Sequence, residues 1–152
     1  MSIDHTRNGY VVSTDKSRID IPTVHAFMQD SYWAADRSLS TLRHAIENSL
    51  CFGIYLGREQ VGFARVVTDC ATFAWLCDVY VARSHRGQGL SKWLMECILA
   101  HPDLQDLRRW LLATKDSHGL YEQFGFHAPH KPERLMERFD QGIYKLCPNQ
   151  RD

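Results

Sequence analysis

The sequence predicts a mixed α/β domain, α+β in arrangement, with a central, mostly antiparallel twisted sheet flanked by about four helices. Three observations predict it. From Leu50 to Val81 aromatic and β-branched residues dominate, interrupted by a Gly57-Arg58-Glu59 turn. Leu90, Trp93, Leu94, Cys97 and Ile98 then recur at the spacing of one helix face. After Pro102 come shorter apolar runs that read as strand, helix and strand.

Each element has its own signal. Tyr10 to Ser13 forms a short strand. Ile21, Val24, Phe27 and Met28 recur at helical spacing, with Asp20 as cap and Pro22 in the first turn, where a missing N–H costs nothing. Leu39, Leu42, Ala45 and Ile46 make a second amphipathic helix behind a Ser38 cap, and Tyr32-Trp33 lies between the two. Cys51 to Leu56, Gln60 to Thr68 and Thr72 to Val81 read as an antiparallel meander. The clean helix from Leu90 follows and stops before Pro102. Leu107 to Ala113 is expected as a buried strand, Ser117 to Phe124 as a helix, and Phe126 with Phe139, Ile143, Tyr144 and Leu146 as closing strand material.

At 152 residues the chain can bury a real core without disulfide or metal staples, and the absence of repeats or linkers predicts one domain, set at residues 3–148. Lys plus Arg equals Asp plus Glu at 18 each, so no net field gathers nucleic acid or an anionic membrane surface; neither is expected as a partner. The five cysteines (Cys51, Cys70, Cys77, Cys97 and Cys147) are odd in number and lack zinc-type spacing, which predicts mostly buried thiols. With no signal-like start and no membrane-length apolar run, a reducing cytoplasm is the expected location.

The chemistry concentrates where a strand runs through Arg83-Ser84-His85-Arg86-Gly87-Gln88-Gly89 into the helix at Leu90. Glycines let the backbone approach an anion, the first helical N–H groups lack intrahelical partners, and the helix dipole adds partial positive charge there. By itself, a glycine turn before a helix is more often only a connection. The segment lacks the Gly-Lys-Ser/Thr of a P-loop and the third glycine of a dinucleotide fingerprint.

Val79-Tyr80-Val81 followed by Arg86-Gly87-Gln88-Gly89-Leu90 resembles the central strand and pyrophosphate loop of the GNAT N-acetyltransferase superfamily. Further on, Leu120-Tyr121-Glu122-Gln123-Phe124-Gly125-Phe126 resembles that family's Leu-Tyr-x-x-x-Gly-Phe signature. The likeness extends over residues 10–146 and is strongest from Trp75 to Phe126; Ser84 and Thr114 depart from the residues many members carry there. The resemblance implies a sheet with a splayed strand pair, formed by Val79 to Val81 and Leu111 to Ala113, and acetyl-CoA as co-substrate. It assigns cofactor contacts to Val79, Tyr80, Val81, Arg86, Gly87, Gln88, Gly89, Leu90, Ser91, Thr114 and Tyr121. It further implies direct acetyl transfer to a primary amine of a small-molecule acceptor, by a monomer or homodimer, with Tyr121 donating towards the departing thiolate.

A lysine-like amine of pKa ≈ 10.4 is only ~0.04% neutral at pH 7, a penalty of about 4.6 kcal/mol, so a base is sought. Asp78 and His118 are the candidates, each more often an ordinary paired or surface group than a base. Tyr32, Trp33 and Trp75, with Phe73, are candidates for the acceptor pocket, or for core. His127 and His130 without a third ligand imply no metal, and Cys77 without a histidine partner is read as a core residue rather than a nucleophile. Two other classes compete: a non-catalytic acyl-CoA sensing module, which would need neither Tyr121 nor a base, and an interaction domain whose glycine loop is only a turn.

Overall fold

The computed structural model describes residues 1–146. Two strands open the chain, β1 (Asp4–Arg7) and β2 (Tyr10–Ser13). They form a hairpin whose turn residues Asn8 and Gly9 both take positive φ, +51° and +81°, as a two-residue primed turn requires. β1 was not anticipated, although Asn-Gly between short strands is a hairpin signal.

Helices α1 (Ile21–Gln29) and α2 (Leu39–Glu47) start where their caps predict: the Asp20 carboxylate accepts from Thr23 N and the Ser38 hydroxyl from Thr41 N, each at 3.1 Å. The meander follows as β3 (Leu50–Leu56), β4 (Glu59–Thr68) and β5 (Phe73–Val81). Then come α3 (Leu90–Leu99), β6 (Arg109–Leu112), the short α4 (His118–Glu122) and α5 (Ile143–Leu146).

The strands lie in sequence order in one sheet, antiparallel throughout except for the parallel β5–β6 pair. One face carries α3 and Tyr121 over Phe52, Ile54, Val66 and Leu76; the other carries α1 and α2 over Cys51, Phe63 and Tyr80. Burying each large α3 side chain contributes roughly 1.5–3 kcal/mol, so this amphipathic face, rather than helix propensity, holds α3 in place. Gln60 links the layers: its side chain accepts from Asp20 N at 2.8 Å and donates to Gly62 O at 3.1 Å, tying the start of α1 to β4.

The sheet splits where β6 stops. Phe73 to Leu76 pair with Arg109 to Leu112, but Cys77 to Val81 extend past the end of β6. In the same stretch the β4–β5 register shifts, with Arg65 opposite Cys77 and Phe63 opposite Tyr80, so Ala64 faces two residues of β5. Asp78, at φ +54°, sits in this bulge.

The closing strand expected from Phe126, Phe139, Ile143, Tyr144 and Leu146 does not form among the described residues. Pro129 and Pro132 remove two ladder donors, a single 3-10 turn occupies Pro132–Arg134, and Ile143–Leu146 is helical. Cys147 lies outside the described residues. Cys51 and Cys97 are buried as expected, while Cys70 is exposed. Among the described residues no helix is long and apolar enough to cross a membrane.

Candidate active site

β5 ends at Val81, and the chain passes through a 3-10 turn at Arg83–His85 into the glycine loop. Gly87 and Gly89 both hold φ +77°, and a Cβ at either would meet nothing within 4 Å, so the space in front of the loop amides is open. Gly89 caps α3 without any side-chain hydrogen bond, leaving the first amides of the helix free of a side-chain acceptor.

Arg86 is fixed at one end of its guanidinium: Nε donates to Val81 O at 2.8 Å and the group lies over the Tyr80 ring at 5.1 Å. Its remaining N–H groups face outward from an exposed side chain. Ala82 N donates to Val61 O at 2.8 Å, so by strand alternation Tyr80 pairs towards β4 while Val79 and Val81 turn their main-chain groups to the split.

Anchors that the sequence reading did not find hold this loop. The Tyr10 hydroxyl bonds His85 Nδ1 at 2.8 Å, tying β2 to the turn before the glycines. Asp30, at the end of α1, accepts from Arg83 at 2.8 and 3.0 Å and from the Tyr80 hydroxyl at 2.5 Å; these hydrogen bonds from Arg83 and Tyr80 hold its carboxyl at about 2. Each joins residues some fifty or more positions apart, and only the folded chain brings them together.

A cleft of about 290 Å³ opens at the split. Val79, Tyr80, Val81, Arg86 and Ser91 line one part, and Tyr32, Trp33 and Asp116 another. Tyr32 and Trp33 meet edge to face, and the Tyr32 hydroxyl accepts from Lys115 N at 2.8 Å, which joins the loop after α1 to the loop before α4. Tyr121 lies just behind this lining, 8% exposed. Burial first, then the nearby Tyr32 and Asp116, push its hydroxyl up to about 12.

Several expected residues stand elsewhere. His118 is exposed at the start of α4 and does not line the cleft. Thr114 accepts from Ser117 N at 3.0 Å and shapes the turn into α4. Trp75 pairs with Val67 and Leu111 in the middle of the sheet, away from the cleft lining, and Phe73 lies further along the same strand. Gln88 bonds the loop itself, donating to His85 O at 3.3 Å, and Leu90 is buried in the core.

Asp78 does not fit the role of a base. Its carboxylate is 1% exposed and accepts from Arg37 at 2.6 Å, Arg65 at 2.9 Å and Trp33 Nε1 at 3.0 Å. Burial alone would raise its pKa, but the hydrogen bonds and charges of Arg37 and Arg65 outweigh it and hold the carboxyl below the usual range. A carboxylate so paired is a weaker proton acceptor than a free one, and it fixes the Trp33–Arg37 loop to the β5 bulge. Cys77 beside it has its thiol pushed up to about 12 by burial, which suits a packed residue and not a nucleophile.

The acetyltransferase (GNAT) domain model matches residues 47–128, from the end of α2 through the segment after α4. The chain belongs to the GNAT acetyltransferase family. A Gibberella zeae protein named as an acetyltransferase is 32% identical over 76% of this chain and 77% of its own length. A solved GNAT-family protein from Xanthomonas campestris pv. campestris is 51% identical, with a TM-score of 0.88 over 91% of this chain and 99% of that one. A Clostridium acetobutylicum acetyltransferase solved with acetyl-CoA shares the fold at 12% identity, with a TM-score of 0.61 over 91% of this chain and 96% of that one. Within this GNAT fold, the β5 side of the split and the glycine loop come from the first segment whose sequence resembles the family's motifs, and α4 with Tyr121 comes from the second.

Proposed function

We propose that this GNAT acetyltransferase moves the acetyl group of acetyl-CoA directly to a primary amine of a small molecule. The observation that carries the reading is one continuous surface. It runs from the uncapped start of α3 past Arg86 to the open flank of Val79 to Val81, and ends against Tyr32, Trp33 and Asp116.

Acetyl-CoA, when bound, supplies an activated acetyl thioester. Arg86 and the amides from Gly87 to Ser91 suit its diphosphate, because the glycines leave that space open and a helix start favours an anion. The main-chain groups of Val79 and Val81 suit the pantetheine arm and place a donor for negative charge developing on the acyl oxygen.

With its pKa near 12, the Tyr121 phenol stays protonated at neutral pH. Handing its proton to a thiolate, whose conjugate acid has an ordinary pKa of about 8.5, runs uphill, so Tyr121 stabilises the departing sulfur by hydrogen bonding rather than by full transfer. Asp116, which lines the cleft and makes no ion pair among the described residues, offers the negative charge that draws an ammonium, and the ammonium gives its proton to water at the open mouth before the amine attacks. The cleft of about 290 Å³ beside Tyr32 and Trp33 supports a small acceptor, and the free thiols among the described residues support a cytoplasmic setting.

Calorimetric titration with acetyl-CoA, beside Arg86→Ala, is the test. Binding weakened by about tenfold or more in the variant supports the phosphate site, since a charge-assisted contact contributes about 1.5–3 kcal/mol. No binding to folded wild-type protein overturns the reading. In an amine screen read by thiol release, Tyr121→Phe is expected to lower kcat by about 10- to 100-fold while leaving acetyl-CoA affinity unchanged.

A further inference from the structure

The aromatic wall of the cleft is held from behind. Trp33 lines the cleft and is 38% exposed, yet its indole Nε1 donates to the Asp78 carboxylate at 3.0 Å. Asp78 directly precedes Val79 in β5, so this bond sets how far the wall stands from the strand flank assigned to the acyl group. The same carboxylate accepts from Arg65 at 2.9 Å, and Arg65 is anchored in turn by donating to the Ser49 hydroxyl at 3.0 Å. Its third partner, Arg37 at 2.6 Å, stands on the loop after α1, where its own N donates to Ala34 O and its carbonyl accepts from His25 Nε2.

Arg37 is only 8% exposed, although Asp36 beside it is open to water. Part of its cover comes from the far end of the chain. The Tyr144 ring of α5 lies 5.6 Å from the guanidinium, and Lys145 meets Asp36 at 3.5 Å. A four-residue helix cannot stand alone, and the stretch leading into it, residues 127–141, is exposed throughout. The contacts with the loop after α1 therefore place α5. The Lys145 pair is exposed on both sides and adds little, which leaves the ring against Arg37 as the contact of weight. A guanidinium stacks well on an aromatic face, and a charge pair shielded from water attracts far more strongly than one that water reaches. Without the ring, water gains access to Arg37, its grip on Asp78 slackens, and the carboxylate that holds the Trp33 indole is left to Arg65.

We propose that Tyr144 is a positioning residue for the acceptor: acting through Arg37 and Asp78, it holds the Trp33 indole at the separation from Val79 that a bound amine needs. Tyr144 does not line the cleft, and the chain of contacts from it bypasses the glycine loop, so acetyl-CoA binding does not depend on it. The proposal rests on the reading that the amine lies beside Tyr32 and Trp33.

Exchange of the indole N–H groups with water, followed by proton–nitrogen NMR, is the test. The chain has four tryptophans, so Trp75, Trp93 and Trp110 are controls within the same sample, and Trp33→Phe identifies the Trp33 signal. In Tyr144→Ala the Trp33 N–H is expected to exchange about tenfold faster or more while the other three keep their rates; a general loss of stability would speed all four. Tyr144→Phe, which keeps a ring against Arg37, is expected to match the wild type. With the amine that the thiol-release screen returns as substrate, Tyr144→Ala is expected to raise KM by about tenfold and to leave kcat and acetyl-CoA affinity within about twofold. Added to Trp33→Ala it is expected to raise KM no further, because both changes act at one wall. A Trp33 N–H indifferent to Tyr144→Ala overturns the proposal, as does a common rise at all four indoles or an additive effect on KM. Failure of the wild-type protein to bind acetyl-CoA overturns the transfer reading instead, and the indole measurement does not depend on it.

Discussion

At Asp78 the backbone adopts φ +54° and the carboxylate answers to Arg37, Arg65 and Trp33 rather than to solvent. A left-handed conformation at a non-glycine residue costs on the order of 1–3 kcal/mol, and the two ion pairs compensate for it. Asp78→Asn leaves two guanidinium groups facing a neutral partner in a buried place, and is expected to cost about 3–5 kcal/mol in urea unfolding at pH 7. The pH dependence has a definite sign. Because the folded pKa lies below the unfolded value of about 3.9, this contribution is full above about pH 4 and fades as the pH falls through the folded value. The gap between wild type and Asp78→Asn should therefore narrow at pH 3. The places of Arg86 in the glycine loop and of Tyr121 on α4 were legible in the sequence because each sits inside a local motif. The partners of Asp78 were not, because Arg37 is 41 positions away and spacing carries no trace of such a contact.

Among elements, α1, α2 and α3 were readable because cap, apolar period and stop signal lie within one stretch of chain. The meander was readable for the same reason. β1 was passed over because four residues with mostly exposed side chains show no apolar alternation; only the Asn8-Gly9 turn betrays it. The tail after Phe126 misled in the other direction. Its aromatic residues have strand propensity, but propensity becomes a strand only where a neighbouring edge accepts it, and prolines intervene. The start of α3 is the element-scale test of function. Gly89→Ala puts a side chain at φ +77°, costing about 1–2 kcal/mol or forcing the first turn to move. Acetyl-CoA binding by titration should weaken while the far-UV circular dichroism of the rest of the fold is retained.

For the molecule as a whole, the decisive feature is a sheet that holds together from β1 to β5 and comes apart between β5 and β6. Helices cover both faces, so the split is a cleft with packed walls rather than a frayed edge. A ligand lying in that split bridges β5, the α3 start and the α4 side, and so should stabilise the fold globally. At a concentration near 100 times its dissociation constant, acetyl-CoA is expected to add about 2.7 kcal/mol, or roughly 5–10 °C in Tm for a domain of this size. Arg86→Ala should remove much of that shift in a thermal melt, over and above any fall in the Tm of the free protein from losing the bond to Val81 O.

The sequence by itself determined the α/β class, the order of the elements from α1 to α4, and the two motif segments, because these depend on signals between residues a few positions apart. Only the tertiary structure decided that Asp78 is held between Arg37, Arg65 and Trp33, that Tyr10 and Asp30 anchor the glycine loop, that Asp116 lines the cleft, and that residues 127–141 are exposed. Those outcomes depend on which groups distant in the chain come within hydrogen-bonding range and how much water remains between them. Packing sets both quantities, and local spacing does not encode them.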